Sequence, residues 1–109
     1  MTEKVLGKIT SAEFGTVRDY PFLIGLQLRF SMTNGSVGDG GKYTENIGPD
    51  CKWANPEDRV IAVTQMVDTV HTILNDAKVN YVSELVGKPV EVTLTQNCFH
   101  DFRILTEVL

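Results

Sequence analysis

The sequence predicts a small α+β domain, in which an antiparallel sheet of about four or five strands packs on one long amphipathic helix. Runs of alternating apolar residues, typical of strands, stand near both ends of the chain. Between them lies a capped stretch of about twenty residues with apolar side chains at helical spacing. The predicted order is therefore strand, strand, loop, long helix, strand, strand, and the short connections favour antiparallel neighbours.

The first two strands are predicted at 5–17 and 22–32, joined by a turn at Pro21 and the residues before it. The first run mixes Val, Ile, Thr and Phe in loose alternation, and we expect a break near Gly15. The second run alternates strictly, so one side is apolar and the other is wet. The short connection predicts an antiparallel hairpin. The apolar side of the second strand carries Ile24, Leu26, Leu28 and Phe30.

The long helix is predicted to begin after Asn55, which caps it. Pro56 takes the first helical position, where its missing N–H costs nothing, and Glu57 and Asp58 face the positive end of the helix dipole. We expect the apolar stripe of the helix to lie on the apolar face of the hairpin. Ile61 lies opposite the stripe and indicates a second contact, such as one between copies in an oligomer. The stripe consists of Val60, Val63, Val67, Val70 and Leu74, widened by Met66 and Ile73.

The rest of the chain is predicted from turn residues and alternation. Residues 33–52 are rich in glycine and are expected to form a long loop, with a short edge strand around 43–47. A short helical turn follows the long helix and stops at Gly87. Alternation then returns in two C-terminal strands. The predicted bounds are 81–85 for the helical turn, 90–95 and 102–108 for the strands, and 96–101 for the turn between them.

Length and composition indicate a single soluble domain over residues 1–109. Hydrophobic residues make up 42% of the chain and charged residues 22%, near the averages of globular proteins. The formal net charge is -4 and the basic residues are scattered, so binding to nucleic acid is disfavoured. The chain has neither a basic leader followed by an apolar stretch nor a segment as long as a membrane span. We therefore expect a cytoplasmic protein with no membrane contact and no cofactor.

The glycine-rich segment, residues 34–42, is the strongest candidate for a binding site. Glycines let backbone N–H groups converge on an anion, and Lys42 adds positive charge. The segment matches neither the phosphate-loop pattern nor the dinucleotide fingerprint, so a flexible connection is the simpler interpretation. Aromatic residues beside loops are favoured anchors of interfaces, although Trp53 also suits a hydrophobic staple before the helix. The candidate binding residues are Gly38, Asp39, Gly40, Gly41, Lys42, Tyr43, Trp53 and Arg59.

No group of residues predicts catalysis or a metal site. His71 and His100 are the two histidines, and His100 precedes Asp101, but adjacent residues usually point apart and no nucleophile with its own orienting partner is evident. Cys98 lies near His100, but an activated thiolate needs an electropositive setting. Cys51 and Cys98 lack zinc-ligand spacing and are expected to be free thiols.

Segments near both ends of the chain carry a resemblance to a known group of proteins. These segments are Phe14-Gly15 and Gly25-Leu26 near the start, and 86–92 and 104–109 near the end. In them the chain resembles small accessory proteins encoded by tailed phages and prophages. The shared motifs are structural and consist of a glycine stop, a proline turn and a closing strand. The resemblance implies a viral origin and action in the host cytoplasm, and it supplies no catalytic residues to transfer to this chain. Small acidic phage proteins of this kind often inhibit host defence.

We expect a function based on binding, without catalysis. The leading hypothesis is a phage-encoded inhibitor, similar to an anti-CRISPR protein, that occludes a surface of a host protein or complex. A second hypothesis is an oligomeric sponge that sequesters a nucleotide, and it requires Lys42 and Arg59 to converge on one pocket. The base would stack there on Tyr43 or Trp53. A virion or morphogenesis protein, and a small hydrolase using Cys98 or its neighbouring histidine, are further alternatives.

Overall fold

The computed structural model describes residues 2–108 and confirms the predicted α+β class; Leu109, the last residue of the segment 104–109, lies outside the described residues. The strands are β1 (Thr2–Val17), β2 (Tyr20–Met32), β3 (Gly35–Gly38), β4 (Thr44–Asn46), β5 (Pro89–Thr95) and β6 (Cys98–Ile104), and the helix is α1 (Pro56–Ala77). Short 3-10 helices at Val82–Leu85 and Thr106–Val108 follow α1 and β6. The sheet is antiparallel, in the order β3-β2-β1-β5-β6, and β4 also pairs with β2.

The two longest strands form the predicted hairpin, and this prediction is confirmed. The break expected near Gly15 is wrong, because Gly15 pairs with Gly25 in regular register. The strand is irregular instead at two register shifts, one between Ile9 and Ser11 and one between Thr16 and Val17. A bulge is needed at the first because Ile9 and Ala12 both belong to the core, whereas side chains three positions apart face opposite sides of a regular strand.

Residues 33–52 contain two short strands. The edge strand expected around 43–47 is confirmed as β4, which pairs with residues 23–25 of β2. β3 was not predicted, and it pairs with the end of β2. Two of its four residues are glycines and Val37 is its one large apolar residue, so it shows no alternation. Its extended conformation follows from hydrogen bonding to β2, which local sequence does not reveal.

The C-terminal hairpin differs from its predicted bounds. Gln96 and Asn97 have φ angles of 52° and 65°, so a two-residue turn joins β5 to β6. The turn predicted at 96–101 is therefore too long, and the strand predicted at 102–108 begins earlier and ends at Ile104. The turn contains no glycine, which is the usual signal for consecutive positive φ angles.

The helix begins where the sequence predicts. Asn55 is extended at a φ of -134°, and Asp58 Oδ2 accepts its N–H at 3.2 Å. The helix ends at Lys78, whose left-handed conformation at a φ of 59° lets its N–H donate to the Asn75 carbonyl at 3.1 Å. Within residues 2–108, neither this helix nor any other has the length and hydrophobicity needed to cross a membrane.

The helix faces the sheet with only one flank of the predicted stripe. Its buried residues are Met66, Ile73 and Ala77, whereas Val60 is 63% exposed and Val67 is 53% exposed. The prediction that Val60 and Val67 contact the hairpin is therefore wrong. The main contacts of α1 are with β4, β6 and the first 3-10 helix, so the helix covers only part of the sheet. Its buried line lies roughly a quarter turn away from the centre of the predicted stripe.

Aromatic rings from three elements form the centre of the core. Phe30 of β2 is fully buried, and its ring centroid lies 5.3 Å from that of Phe99 and 4.9 Å from that of Phe102. Tyr43, which follows the glycine-rich segment, packs edge-on against the same two rings of β6. Leu85 of the first 3-10 helix is also fully buried and packs over β1. The glycine-rich segment is thus attached to the core through Tyr43.

Candidate partner-binding site

One buried acid holds the glycine-rich segment against β2. Asp39 is only 7% exposed, and its Oδ2 accepts the N–H of Leu28 at 2.9 Å. Its Oδ1 accepts the N–H of Gly41 at 3.0 Å, and its own N–H donates to the Leu28 carbonyl at 3.1 Å. Asp39 therefore takes the place of a strand residue beside β2. The segment predicted as a flexible connection is a hydrogen-bonded turn.

Lys42 joins this segment to β6. Its Nζ donates to the His100 carbonyl at 2.7 Å and lies 3.4 Å from Asp101 Oδ1. His100 is the extra residue of a bulge in β6, so Lys42 supplies a donor to a carbonyl at an interruption of the ladder. The same Nζ lies 5.9 Å from the ring centroids of Tyr43 and Phe99. The Lys42 ammonium group, which was predicted to bind an anionic ligand, therefore already has partners within the fold.

Tyr43 belongs to the core more than to a ligand site. The residue is 9% exposed. Burial raises the pKa of the Tyr43 hydroxyl, and the nearby carboxylates of Asp101 and Asp39 raise it further. Because its ring packs against Phe99 and Phe102, little of it is left for stacking on a nucleotide base.

A cleft of about 300 Å³ opens beside the glycine-rich segment, on the polar face of the sheet. Its walls include Glu13, Arg29 and Asp39, so charges of both signs meet there. The Asp39 carboxylate is already bound to N–H groups. The described residues that line this cleft do not include Lys42 or Arg59. The convergence required for the nucleotide sponge is not found at this cleft, and the geometry gives that hypothesis no support.

Trp53 and Arg59 lie apart from this segment, near the start of α1. Trp53 is half-buried, and its indole Nε1 is buried with no acceptor among residues 2–108. Such an unpaired donor costs about 1–3 kcal/mol. Arg59 is exposed in the first turns of α1 and forms no ion pair within the described part of the chain. The predicted binding residues therefore divide into a hydrogen-bonded turn beside β2 and a separate pair at the helix start.

Among the described residues, no hydrogen bond joins the side chains considered for catalysis. Cys51 and Cys98 are free thiols, and Cys98 is exposed on β6. Asp101 accepts the N–H of Phe102 at 2.8 Å, and no hydrogen bond between described residues joins it to the His100 ring. Over residues 2–108, no three acidic, histidine or cysteine side chains are grouped so that they could hold a metal ion.

An apolar stripe of α1 is left partly exposed by the sheet. Its residues alternate in spacing between three and four positions, which is the repeat of a coiled-coil contact. Val60 is 63% exposed and Val67 is 53% exposed, while the remaining members are half-buried. We name this stripe the helix seam, and it consists of Val60, Val63, Val67, Val70 and Leu74.

The width of the apolar arc is the sequence signal that distinguishes the helix seam from the core side of α1. On a 3.6 period, the apolar residues from Ala62 round to Val60 span about 160°. A helix that only packs on a sheet needs a stripe of roughly 100°. Part of so wide an arc must therefore face away from the sheet. The structure buries Met66 and Ile73 and packs Val70 and Leu74 of the helix seam against the core as well, so that Val60 and Val67 are the seam residues left exposed at the side.

Comparisons of the chain with protein-family models, curated proteins and solved structures found no match. The helix seam is therefore the feature of this chain from which a function is best argued.

Proposed function

We propose that this protein is a non-enzymatic binding protein that covers a surface of a partner protein through the helix seam. The observation that supports the proposal most strongly is the exposure of Val60 and Val67 at a coiled-coil spacing. Valine is a poorer helix former than the lysine, glutamate or glutamine usual at exposed helix positions. Exposed valines in this pattern therefore bring no local advantage, but they suit a contact with another protein.

The shape of the helix seam suits a helix of the partner. From Val60 to Leu74 the seam spans about 21 Å at 1.5 Å per residue, the length of two heptads. Exposed polar residues, Thr64 and His71, lie on the solvent side of the seam. Ile61, 53% exposed, lies further round the helix. A partner helix in this position would meet an apolar centre with a polar border, the usual anatomy of an interface.

The helix seam accounts for part of the binding free energy that a stable complex needs. Completing the burial of two half-exposed valines contributes roughly 1–2 kcal/mol each at about 25 cal/mol per Å² of apolar surface. A nanomolar complex needs about 12 kcal/mol. The partner must therefore contact neighbouring residues as well. Arg59 and Trp53, at the start of the same helix, are the two predicted binding residues best placed for this.

The kind of partner is a prediction from the resemblance to phage proteins. A phage-encoded inhibitor of host defence, similar to an anti-CRISPR protein, would occlude a surface of a cytoplasmic host protein or complex. The net charge of -4 suits a partner with a basic surface, such as a complex that binds nucleic acid.

Affinity capture from a bacterial host tests the proposal with matched variants. Val67→Asp places a charge in the helix seam, and Gln65→Asp places the same charge at an exposed position on another side of α1. We expect the wild-type chain and Gln65→Asp to retain the same host protein, and Val67→Asp to weaken its retention about tenfold or more. Capture of no host protein, or equal capture by Val67→Asp, would contradict the proposal.

Expression of the chain in a bacterium with active CRISPR immunity tests the finer prediction. We expect the wild-type chain and Gln65→Asp to restore infection by a targeted phage, and Val67→Asp to leave the bacterium immune. If infection does not recover although a host protein is captured, the partner belongs to another system and the anti-CRISPR assignment is wrong.

A further inference from the structure

The side of β1 that faces away from β2 has no strand partner along half of the strand, although Ala12 in this half is only 9% exposed. β5 pairs with this side as far as Lys8, and the residues before β5 add hydrogen bonds at Ile9. Beyond Ile9, no described residue pairs with it. Register shifts next to Ile9 and at Val17 bound the uncovered stretch, and the strand between them is regular. We name this stretch, residues 11–16, the open edge.

Three residues direct their backbone groups out of the open edge. In an antiparallel ladder, the N–H and C=O of one residue point to the same side, and those of the next residue point to the other. Leu26 and Leu28 direct their N–H groups away from β1, to the Tyr43 carbonyl at 3.1 Å and to Asp39 Oδ2 at 2.9 Å. Their partners on β1, Phe14 and Ala12, therefore direct their own groups away from β2. Thr16 lies two residues beyond Phe14, so its N–H and C=O also point away from β2.

A second copy of the chain satisfies all of these groups in one register. With two open edges antiparallel about Phe14, each Phe14 pairs with its equivalent and Ala12 pairs with Thr16, which forms about six hydrogen bonds. Glu13 then lies opposite Gly15, so no like charges meet. A register centred on Glu13 opposes two carboxylates, and one centred on Gly15 leaves Ala12 opposite the hairpin turn. We propose that this protein forms a symmetric dimer by pairing two open edges about Phe14.

Exposed apolar side chains accompany the open edge. Phe14 is 47% exposed, although it lies on the same face of the sheet as its buried partner Leu26. Tyr20, which pairs with Val17 at one end, is 55% exposed, and Val86, near the other end, is 51% exposed. In the dimer the two Phe14 rings lie beside each other on the helix side of the joined sheet. An aromatic pair across two antiparallel strands stabilises their contact.

The other edges of the sheet are less suited to pairing. β6 is interrupted by the bulge at His100, whose carbonyl is taken by Lys42 Nζ. β3 and β4 are four and three residues long. Bulges, lysines and short lengths are the features by which natural sheets prevent edge pairing. The open edge contains neither lysine nor proline, and its bulges lie at its ends.

The size of the contact indicates a weak dimer. Pairing over six residues buries less than the roughly 1,200–2,000 Å² typical of stable interfaces. We therefore expect dissociation in the micromolar range, and the dimer must be sought across a wide range of concentrations.

Sedimentation equilibrium with edge variants tests the dimer. We expect the mass of the wild-type chain to rise from 12.1 kDa toward twice that value as concentration increases. Phe14→Asp places two carboxylates opposite each other and should hold the chain at 12.1 kDa. Ser31→Asp is the matched control, because Ser31 is exposed on β2 opposite Lys8 and Ser36, where an added carboxylate meets no like charge, and it should dimerise like the wild type.

A proline variant keeps the test decisive if Phe14→Asp fails to fold. Thr16→Pro removes an N–H that the single copy does not use, and proline is tolerated where the N–H faces outward from an edge. Circular dichroism should show a folded chain, and Thr16→Ala, which retains the N–H, should still dimerise. Amide exchange at Ala12, Phe14 and Thr16 should be slow in the wild-type dimer and fast on dilution. In Thr16→Pro, which has no amide at position 16, exchange at Ala12 and Phe14 should be fast.

Three outcomes overturn the dimer. The first is a wild-type chain that stays monomeric at every concentration. The second is a dimer that survives both Phe14→Asp and Thr16→Pro, since it must use another surface. The third is protection of the three amides only after a captured host protein is added, which would mean that the open edge pairs with a strand of that protein. Val67→Asp separates this proposal from the proposed function, because it should abolish capture and leave the dimer intact.

Discussion

Asp39 fixes the glycine-rich segment against β2. Asp39→Ala removes the acceptor of two N–H groups, and that of Leu28 would stay buried without a partner. Since a hydrogen bond to a charged group contributes about 1.5–3 kcal/mol, we expect the free energy of unfolding to fall by about 2–4 kcal/mol. Urea unfolding measures the change. Asp50→Ala, at an exposed position, should cost less than about 0.5 kcal/mol, and equal losses in the two variants would contradict the role of Asp39.

Burial of the Tyr43 hydroxyl makes the folded protein less stable as the pH rises into the alkaline range. Its pKa is raised in the folded state, first by burial and then by Asp101 and Asp39. Below the ordinary pKa of 10.0 both states hold the proton and the stabilisation is complete. As the pH rises above 10.0, the unfolded chain loses its proton first, so stability falls by at most about 1.4 kcal/mol for each pH unit.

Urea unfolding of the wild type and of Tyr43→Phe, compared at neutral pH and above pH 10.0, checks this dependence. Phenylalanine has no proton to lose, so the alkaline decline should be shallower in the variant. Equal declines in the two proteins would show that burial of Tyr43 is not its cause.

The sequence located the glycine-rich segment as a candidate site but did not reveal what its charged residues contact. The sequence identified the glycine-rich segment as unusual, and the structure finds it unusual because Asp39 and Lys42 hold it in place. Their partners lie far along the chain, since Leu28 is 11 residues from Asp39 and His100 is 58 residues from Lys42. A sequence pattern does not show such contacts, so a charge that serves the fold resembles one that serves a ligand.

At the scale of elements, the side of α1 that faces the sheet is open to direct test. Ile73 is 8% exposed and Val67 is 53% exposed. Ile73→Ala should lower the free energy of unfolding by about 2–4 kcal/mol, because it leaves a cavity against the sheet. Val67→Ala should change it by less than about 0.5 kcal/mol. Chemical denaturation of both variants decides the matter, and a larger loss for Val67→Ala would mean that the helix seam faces the hairpin after all.

Elements with a strong local pattern were predictable, and those defined by their neighbours were not. The strict alternation of β2 and the cap, proline and acids at the start of α1 gave these elements correctly. β3 has no alternation, and the turn at Gln96 and Asn97 has no glycine, so neither carries a local signal. The helical period predicted the apolar arc of α1. Which part of that arc faces the sheet depends on Gly25 of β2, because its missing side chain lets Met66 pack closely against the strand. An added Cβ at Gly25 would overlap the Tyr43 carbonyl oxygen and lie 2.9 Å from Met66 Sδ.

At the scale of the whole molecule, the helix seam and the open edge lie on different elements and serve different contacts. The axis of the proposed dimer is perpendicular to the sheet, so both copies of α1 lie on the same face of the joined sheet. Two helix seams on one face would let the dimer engage a partner with two equivalent sites, and the second contact would form at high effective concentration. The same symmetry also suits the alternative of a virion or morphogenesis protein, which stays a prediction.

The two contacts predict a combined effect that neither predicts alone. Phe14→Asp should leave the binding of one helix seam unchanged while it removes the advantage of two. Capture by a partner with repeated sites should therefore weaken about a hundredfold or more, and capture by a partner with a single site should stay the same. Surface-based binding assays at low and high partner density measure this difference. Equal affinity of Phe14→Asp and the wild type at both densities would mean that the dimer plays no part in binding.

Native mass spectrometry of the chain isolated from its host cells tests the central claim, that the helix seam binds a partner protein. We expect a wild-type complex whose mass exceeds that of one or two copies by the mass of a host protein. We also expect that Val67→Asp, isolated in the same way, lacks this added mass, while Gln65→Asp keeps it. Copies of the chain alone, a retained mass of nucleotide size, or the same host protein on Val67→Asp would contradict the account.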